Sequence, residues 1–176
     1  MRVALTGFMG AGKTTTGRAL ARRLDAPFHD LDDEIERAAE RTVAALFEEE
    51  GEAGFRRREH AALARLLQTA GTFGRDRFVL ATGGGTMTED DSAALLLRET
   101  RTVWLRVPFE LVLARLGAEE AARRPLFRDP AAAQALYERR RPVYARCELV
   151  LDVGAGESPE EVAARLERRL REGPGR

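Results

Sequence analysis

The chain has 176 residues, 44% hydrophobic and 33% charged, with 29 cationic and 29 acidic side chains and a formal net charge of zero. That length suits one domain with a real core. With no basic excess to release counterions and no run of about eighteen apolar residues, the composition speaks against a nucleic-acid binder and a membrane-spanning protein. The single Cys147 has no partner for an internal disulfide, and the chain opens almost directly in a strand, so a cytoplasmic location is expected. Cys147 itself reads as a small buried hydrophobe.

In chain order, Val3-Ala4-Leu5 predicts a first strand, and the stretch Gly7-Phe8-Met9-Gly10-Ala11-Gly12-Lys13-Thr14-Thr15 follows it directly. Glycine, four residues, then Gly-Lys-Thr is a phosphate-binding loop. Its place between a strand and the amphipathic stretch Arg18 to Leu24 is the context that the motif needs. Glycines let successive backbone N–H groups turn around an anion, and the helix N-terminus adds about half a positive charge. Gly10, Ala11, Gly12, Lys13, Thr14 and Thr15 are therefore expected around the phosphates of a nucleotide. Lys13 reaches the β- and γ-phosphates, and the Thr14 hydroxyl ligates Mg²⁺. Lys13 is the only lysine; the other 28 cationic residues are arginine. A chain that writes its cations as arginine keeps one ammonium where a compact point charge is wanted.

Pro27-Phe28-His29 reads as a second strand that runs into Asp30-Leu31-Asp32-Asp33-Glu34, with Ile35 on the helix that follows. Asp30 and Asp32 leave the carboxyl end of that strand, where open α/β sheets bind ligands. Asp30 is expected to hold Mg²⁺ through water, and Asp32 to accept a hydrogen bond, and with it the proton, from an acceptor hydroxyl. Asp33, Glu34 and Glu36 are read as complements to the helix N-terminus. Thr42 predicts the cap of a helix through Leu46 and Phe47 that stops at Gly51, and Glu52 to Leu67 is helical again. Phe78 to Ala81 is a buried strand ending in Gly83, Gly84 and Gly85, three glycines where one would make a turn, which points to backbone lying close to a ligand.

Thr88 with Asp91 three residues on predicts a helix cap. Val103 to Val107 is a fourth strand with Trp104 in the core, and Pro108 opens a helix ending near Gly117. From Gly117 to Asp129 the chain is polar, arginine-rich and interrupted by Pro125, which predicts a mobile lid. Arg124 within it is placed to swing onto the phosphates. Asp129-Pro130 caps a helix reaching Ala145, Leu149 to Leu151 is a fifth strand, and Ser158-Pro159-Glu160-Glu161 opens the last helix. Strand–helix alternation of this length predicts a three-layer α/β/α domain with a five-stranded parallel sheet, and no second domain or internal repeat is visible. His29 and His60 are read as structural or solvated rather than as bases.

The landmarks Gly7 to Thr14, Asp30 to Glu36, Gly51-Glu52 with Phe55-Arg56 and Glu59, Gly83 to Gly85, Arg124-Pro125-Leu126, and Arg140 before Pro142-Val143-Tyr144 resemble, in order and near spacing, the shikimate kinases. These are P-loop kinases of the nucleoside monophosphate kinase-like fold, and the resemblance covers nearly the whole chain. It implies a single kinase domain over residues 1–176, with an acceptor-binding region at about 30–60 and the lid at about 117–129. The family moves the γ-phosphoryl of ATP to the 3-hydroxyl of shikimate, a step toward chorismate and the aromatic amino acids, and a monomer is expected.

By position, the resemblance implies that Asp32 binds the acceptor hydroxyl, that Arg56 and Arg140 clamp the shikimate carboxylate, and that Gly83, Gly84 and Gly85 line the acceptor pocket. Lys13 and Arg124 bear the transferring phosphoryl, and Arg115 matches a family arginine near adenine. The choice of Arg140 rests on counting back from Pro142 and Tyr144, and its neighbours Arg139 and Arg141 are the alternatives in the same run. Two rivals are a kinase for another small hydroxylated acceptor, such as gluconate or a nucleotide, and a module that binds ATP without phosphorylating a metabolite. Phe55-Arg56 and the glycine run speak against the first, and Asp32 beside a lid arginine speaks against the second.

Overall fold

The computed structural model describes residues 1–72, 77–123 and 125–172. Five strands form one sheet: β1 (Arg2–Thr6), β2 (Phe28–Asp30), β3 (Phe78–Ala81), β4 (Arg101–Arg106) and β5 (Leu149–Asp152). They are parallel, in the order β2-β3-β1-β4-β5. Val3, Ala4 and Leu5 of the central strand are wholly buried. Unbroken apolar runs of this kind belong to a parallel sheet covered on both faces, as the sequence predicts. The order reverses beside β1, so the carboxyl ends of β1, β2 and β3 open into one crevice, the switch point at which such sheets bind ligands.

Among the described residues seven helices flank the sheet: α1 (Lys13–Leu24), α2 (Leu31–Ala39), α3 (Val43–Thr72), α4 (Asp90–Glu99), α5 (Phe109–Arg123), α6 (Pro130–Tyr144) and α7 (Pro159–Glu172). The caps explain most of their starts. Asp129 Oδ1 accepts from the N–H groups of Ala131 and Ala132 at 3.0 and 3.1 Å, with Pro130 in the first turn. Ser158 and Glu161 form a reciprocal capping box: Glu161 Oε2 accepts from Ser158 N at 2.8 Å, and Ser158 Oγ accepts from Glu161 N at 3.2 Å. Ser158→Ala is expected to cost about 1 kcal/mol and to lower Tm by about 2–4 °C in a thermal melt, with ATP turnover unchanged.

Two sequence expectations are corrected and one, at Gly51, is met. Thr88 does not cap α4: its hydroxyl donates to the Gly85 carbonyl at 2.6 Å and closes a 3-10 turn over Thr86–Thr88, leaving Glu89 at the cap position. As the sequence predicts, Gly51 interrupts the helical run: at φ 67° and ψ −179° it is non-helical, a conformation that glycine accepts cheaply, and α3 resumes beyond this kink. The helix after Pro108 does not stop near Gly117; α5 continues to Arg123, and a 3-10 turn over Pro125–Arg128 leads into α6. Alanine and glutamate in that stretch are good helix formers and prolong it.

Candidate active site

The phosphate loop owes its shape to glycine. Gly7 has φ 138°, and a Cβ there would sit 2.8 Å from the Leu105 carbonyl oxygen of β4, so no other residue fits between the two strands. Gly12, at φ 85°, turns the chain into α1 and accepts from Thr16 N at 2.9 Å. Ala11 N donates to the Phe8 carbonyl at 3.1 Å, which closes the loop on itself. Lys13 Nζ folds back over it, donating to the carbonyls of Gly7 at 2.9 Å and Phe8 at 3.1 Å. The ammonium thus stands at the loop mouth beside the N-terminus of α1, where two sources of positive potential add.

The two aspartates end β2 and start α2, facing this loop. Thr14 Oγ1 donates to Asp30 Oδ2 at 2.7 Å, and Asp32 N donates to Asp30 Oδ1 at 3.1 Å. Asp30 therefore both caps α2 and meets the loop hydroxyl. Asp32 is half-buried, and its pKa is pushed up to about 6, chiefly by burial and next by the Asp30 carboxylate, against the lowering pull of Lys13. The group is ionised at neutral pH yet basic enough to take a proton.

Each of the three glycines after β3 admits a different side chain. A Cβ on Gly83 would lie 2.7 Å from Glu59 Oε1 and 3.3 Å from Asp32 Oδ1. On Gly84 it would lie 3.6 Å from an Arg140 terminal nitrogen, and on Gly85 it would lie 2.7 Å from Arg56 Cζ. Asp32, Arg140 and Arg56 are thereby brought onto one glycine ribbon from α2, α6 and α3. Arg140 is half-buried, whereas Arg139 and Arg141 are exposed and Arg141 pairs with Glu138 at 2.9 Å. Helical geometry presents only one of three consecutive residues to the ribbon.

Two supporting residues had no assigned role in the sequence reading. Glu59, wholly buried, accepts from Arg56 at 2.7 Å and from Thr86 Oγ1 at 2.6 Å, tying α3 to the turn after the glycines. An acid three residues after Arg56 on one helix is the signal for it. Tyr144 donates its hydroxyl to the Gly84 carbonyl at 2.5 Å, and burial above all pushes its pKa up to about 12, so it holds the ribbon as a neutral donor.

Met9, Gly10, Gly12, Lys13, Thr14, Thr15, Asp30, Asp32, Thr82, Gly83, Gly84, Arg115 and Leu116 line a cleft of about 410 Å³. It shares Gly10, Gly12, Thr15 and Arg115 with a neighbouring pocket of about 280 Å³ walled by Val153, Glu157, Pro159 and Val162. Arg115 reaches the Gly154 carbonyl at 3.5 Å across this second pocket, which has the size and position for a nucleotide base. A hollow of about 750 Å³ between α1 and β2 is larger but lies away from the loop and the aspartates. Arg124 and the side chains of residues 117–126 lie outside the described residues. His29 pairs with Glu34 at 3.0 Å and His60 with Ser92 at 3.1 Å, neither lining the cleft. Cys147 is buried, and burial pushes its thiol up to about 12, consistent with a core role.

A parallel sheet with this strand order, a Gly-Lys-Thr loop opening α1, and paired acids at the adjoining strand end define a P-loop kinase. The shikimate kinase family model matches residues 9–171. The chain belongs to the shikimate kinase family. It is 40% identical over 171 residues to the shikimate kinase of Cereibacter sphaeroides, covering 96% of this chain and 81% of that one. It is 44% identical over 159 residues to that of Burkholderia pseudomallei, covering 88% and 82%. In structure it is similar to the shikimate kinase of Acinetobacter baumannii in complex with shikimate, with a TM-score of 0.86, 33% identity, and 99% and 95% of the two chains covered.

Proposed function

We propose that this chain, acting as a single kinase domain, transfers the γ-phosphoryl group of ATP to the 3-hydroxyl of shikimate. The products are 3-phosphoshikimate and ADP, on the way to chorismate and the aromatic amino acids. The observation that carries the reading is the glycine ribbon: Gly83 faces Asp32, Gly84 faces Arg140 and Gly85 faces Arg56, with Gly83, Gly84 and Asp32 lining the Lys13 cleft. One carboxylate for a hydroxyl and two planar cations for a carboxylate are the recognition set of a hydroxylated acid. Gluconate shares that description, so the acceptor must be tested directly. ADP release with Mg·ATP is expected to be stimulated strongly by shikimate and not by gluconate. The reverse result would overturn the acceptor assignment and leave the loop in place.

In this mechanism Asp32, ionised above about pH 6, accepts a hydrogen bond from the 3-hydroxyl and takes its proton. The hydroxyl oxygen bonds to the γ-phosphorus while the bond to the β,γ-bridging oxygen breaks, and Lys13 neutralises charge on the phosphate oxygens. Arg56 and Arg140 hold the acceptor carboxylate remote from the reacting oxygen, which orients it. Arg124 would carry further charge on the transferring group, and Arg115 would flank the base.

The donors near the loop fit magnesium. Thr14 Oγ1 and Asp30 offer hard oxygens 2.7 Å apart, and among the described residues no cluster of three or more acidic, histidine or cysteine ligands forms a cage. An ion held this way takes its other ligands from phosphates and water, as magnesium does. Thr14 would hold it directly and Asp30 through water, and when bound it screens the phosphate charges.

Arg56→Lys and Arg140→Lys are each expected to raise KM for shikimate about tenfold with KM for ATP unmoved, since an ammonium cannot make the planar two-point contact. Equal shifts in both constants would remove the clamp. We place the protein in the cytoplasm as a monomer, as its family membership suggests, and a single species at the monomer mass in analytical ultracentrifugation would support the second point.

A further inference from the structure

We propose that Glu89 is a built-in competitor of the acceptor carboxylate, weakening the grip of Arg56 so that substrate and product are released readily. The inference rests on the assignment of Arg56 to the carboxylate clamp. Around the single Arg56 cation stand three carboxylates: Glu59 at 2.7 Å, Glu52 at 3.5 Å and Glu89 at 3.8 Å. Their burial separates their roles. Glu59 is wholly buried and also bonded to Thr86, so it is fixed structure. The Glu52 side chain is 70% exposed and lies one helical turn from Arg56, while Glu89 is 43% exposed and approaches from a different element.

Glu89 is not needed where it stands. It occupies the cap position of α4 without a side-chain hydrogen bond to the helix, and Asp90 and Asp91 already supply acidic charge to the first turn. Its Oε1 is aimed at Arg56 Nε, which is buried and has no hydrogen-bond partner among the described residues. The distance is too long for a hydrogen bond but short for Coulomb attraction. Glu89 thus lowers the positive potential that Arg56 offers without making the bond that would lock the guanidinium. When the acceptor's carboxylate arrives, four anions share Arg56, with Arg140 a second cation on the glycine ribbon, and the resident carboxylates repel the ligand and so raise its free energy when bound.

Exchange of Glu89 for its neutral isostere tests this. Glu89→Gln is expected to lower KM for shikimate about threefold at low salt, the scale of one partly exposed charge, with kcat and KM for ATP unchanged. The difference should shrink as ionic strength rises, because exposed charges are screened. Glu89→Asp should behave like the parent enzyme. An unchanged KM, or a raised one, in Glu89→Gln would overturn the proposal, the latter by making Glu89 a positioning residue for Arg56. Arg56→Lys in the same assay separates the two levels of inference. If it leaves KM for shikimate unchanged, the clamp assignment fails and takes the proposal with it; if it raises KM while Glu89→Gln changes nothing, only the competitor role fails.

Discussion

Asp32→Asn should lower turnover about a thousandfold while changing ATP affinity less than about twofold. General-base catalysis contributes about 10²–10⁴ in rate, and the side chain faces Gly83 and the acceptor side of the cleft. Steady-state kinetics beside nucleotide titration measure both quantities, and parallel losses would take Asp32 out of the acceptor role. The pH profile adds a second signature. Because the base must be ionised and its pKa stands at about 6, kcat/KM for shikimate should fall about tenfold per unit below pH 6 and level off above it. The asparagine variant should lose that limb.

Stability should move the opposite way. The folded pKa of about 6 lies above the ordinary 3.8, so between these values the folded state binds more protons than the unfolded one. Stability is therefore lost as pH rises through that window, by at most about 3 kcal/mol for two pKa units. Asp32→Asn should accordingly raise Tm at pH 8 and bring no gain below about pH 4. A variant that is more stable and nearly inactive is what a strained catalytic group predicts.

Lys13→Arg should cost about 10²–10³ in turnover and weaken ATP binding, although it keeps the charge. The ammonium sits between the carbonyl oxygens of Gly7 and Phe8 at 2.9 and 3.1 Å, a seat for a compact tetrahedral donor. A planar guanidinium is wider and directs its N–H groups in a fork, so it would either leave that seat or push on the loop. Calorimetric titration with a non-hydrolysable ATP analogue, together with single-turnover kinetics, reads the two losses. Near-normal activity would show that charge alone suffices, and the lone lysine would then reflect no local demand.

Some of the site was legible because it is local. Gly7, Gly12, Lys13 and Thr14 lie within eight positions, and loop geometry, helix dipole and hydroxyl follow from their spacing. Asp30 and Asp32 were legible for the same reason, as acids two apart at a strand end. Thr88 was misread because its hydroxyl found a nearer partner, the Gly85 carbonyl, in a 3-10 turn that the cap pattern does not distinguish. The early stop at Gly117 was misread because one glycine weakens a helix by only about 1 kcal/mol, less than the neighbouring helix formers restore.

The chain's order of residues by itself determined the alternation of strands and helices, the parallel sheet and the phosphate loop, since these depend on periodicity and on contacts a few residues apart. Tertiary structure alone decided which arginine of Arg139, Arg140 and Arg141 meets the glycine ribbon, that Glu59 is buried beneath Arg56, and that Glu89 faces the same guanidinium from the cap position of α4. Those partners stand three to fifty-six positions apart in the chain. Their meeting depends on the angles at which α3, α4 and α6 pack around the sheet, and no local pattern of residues encodes those angles.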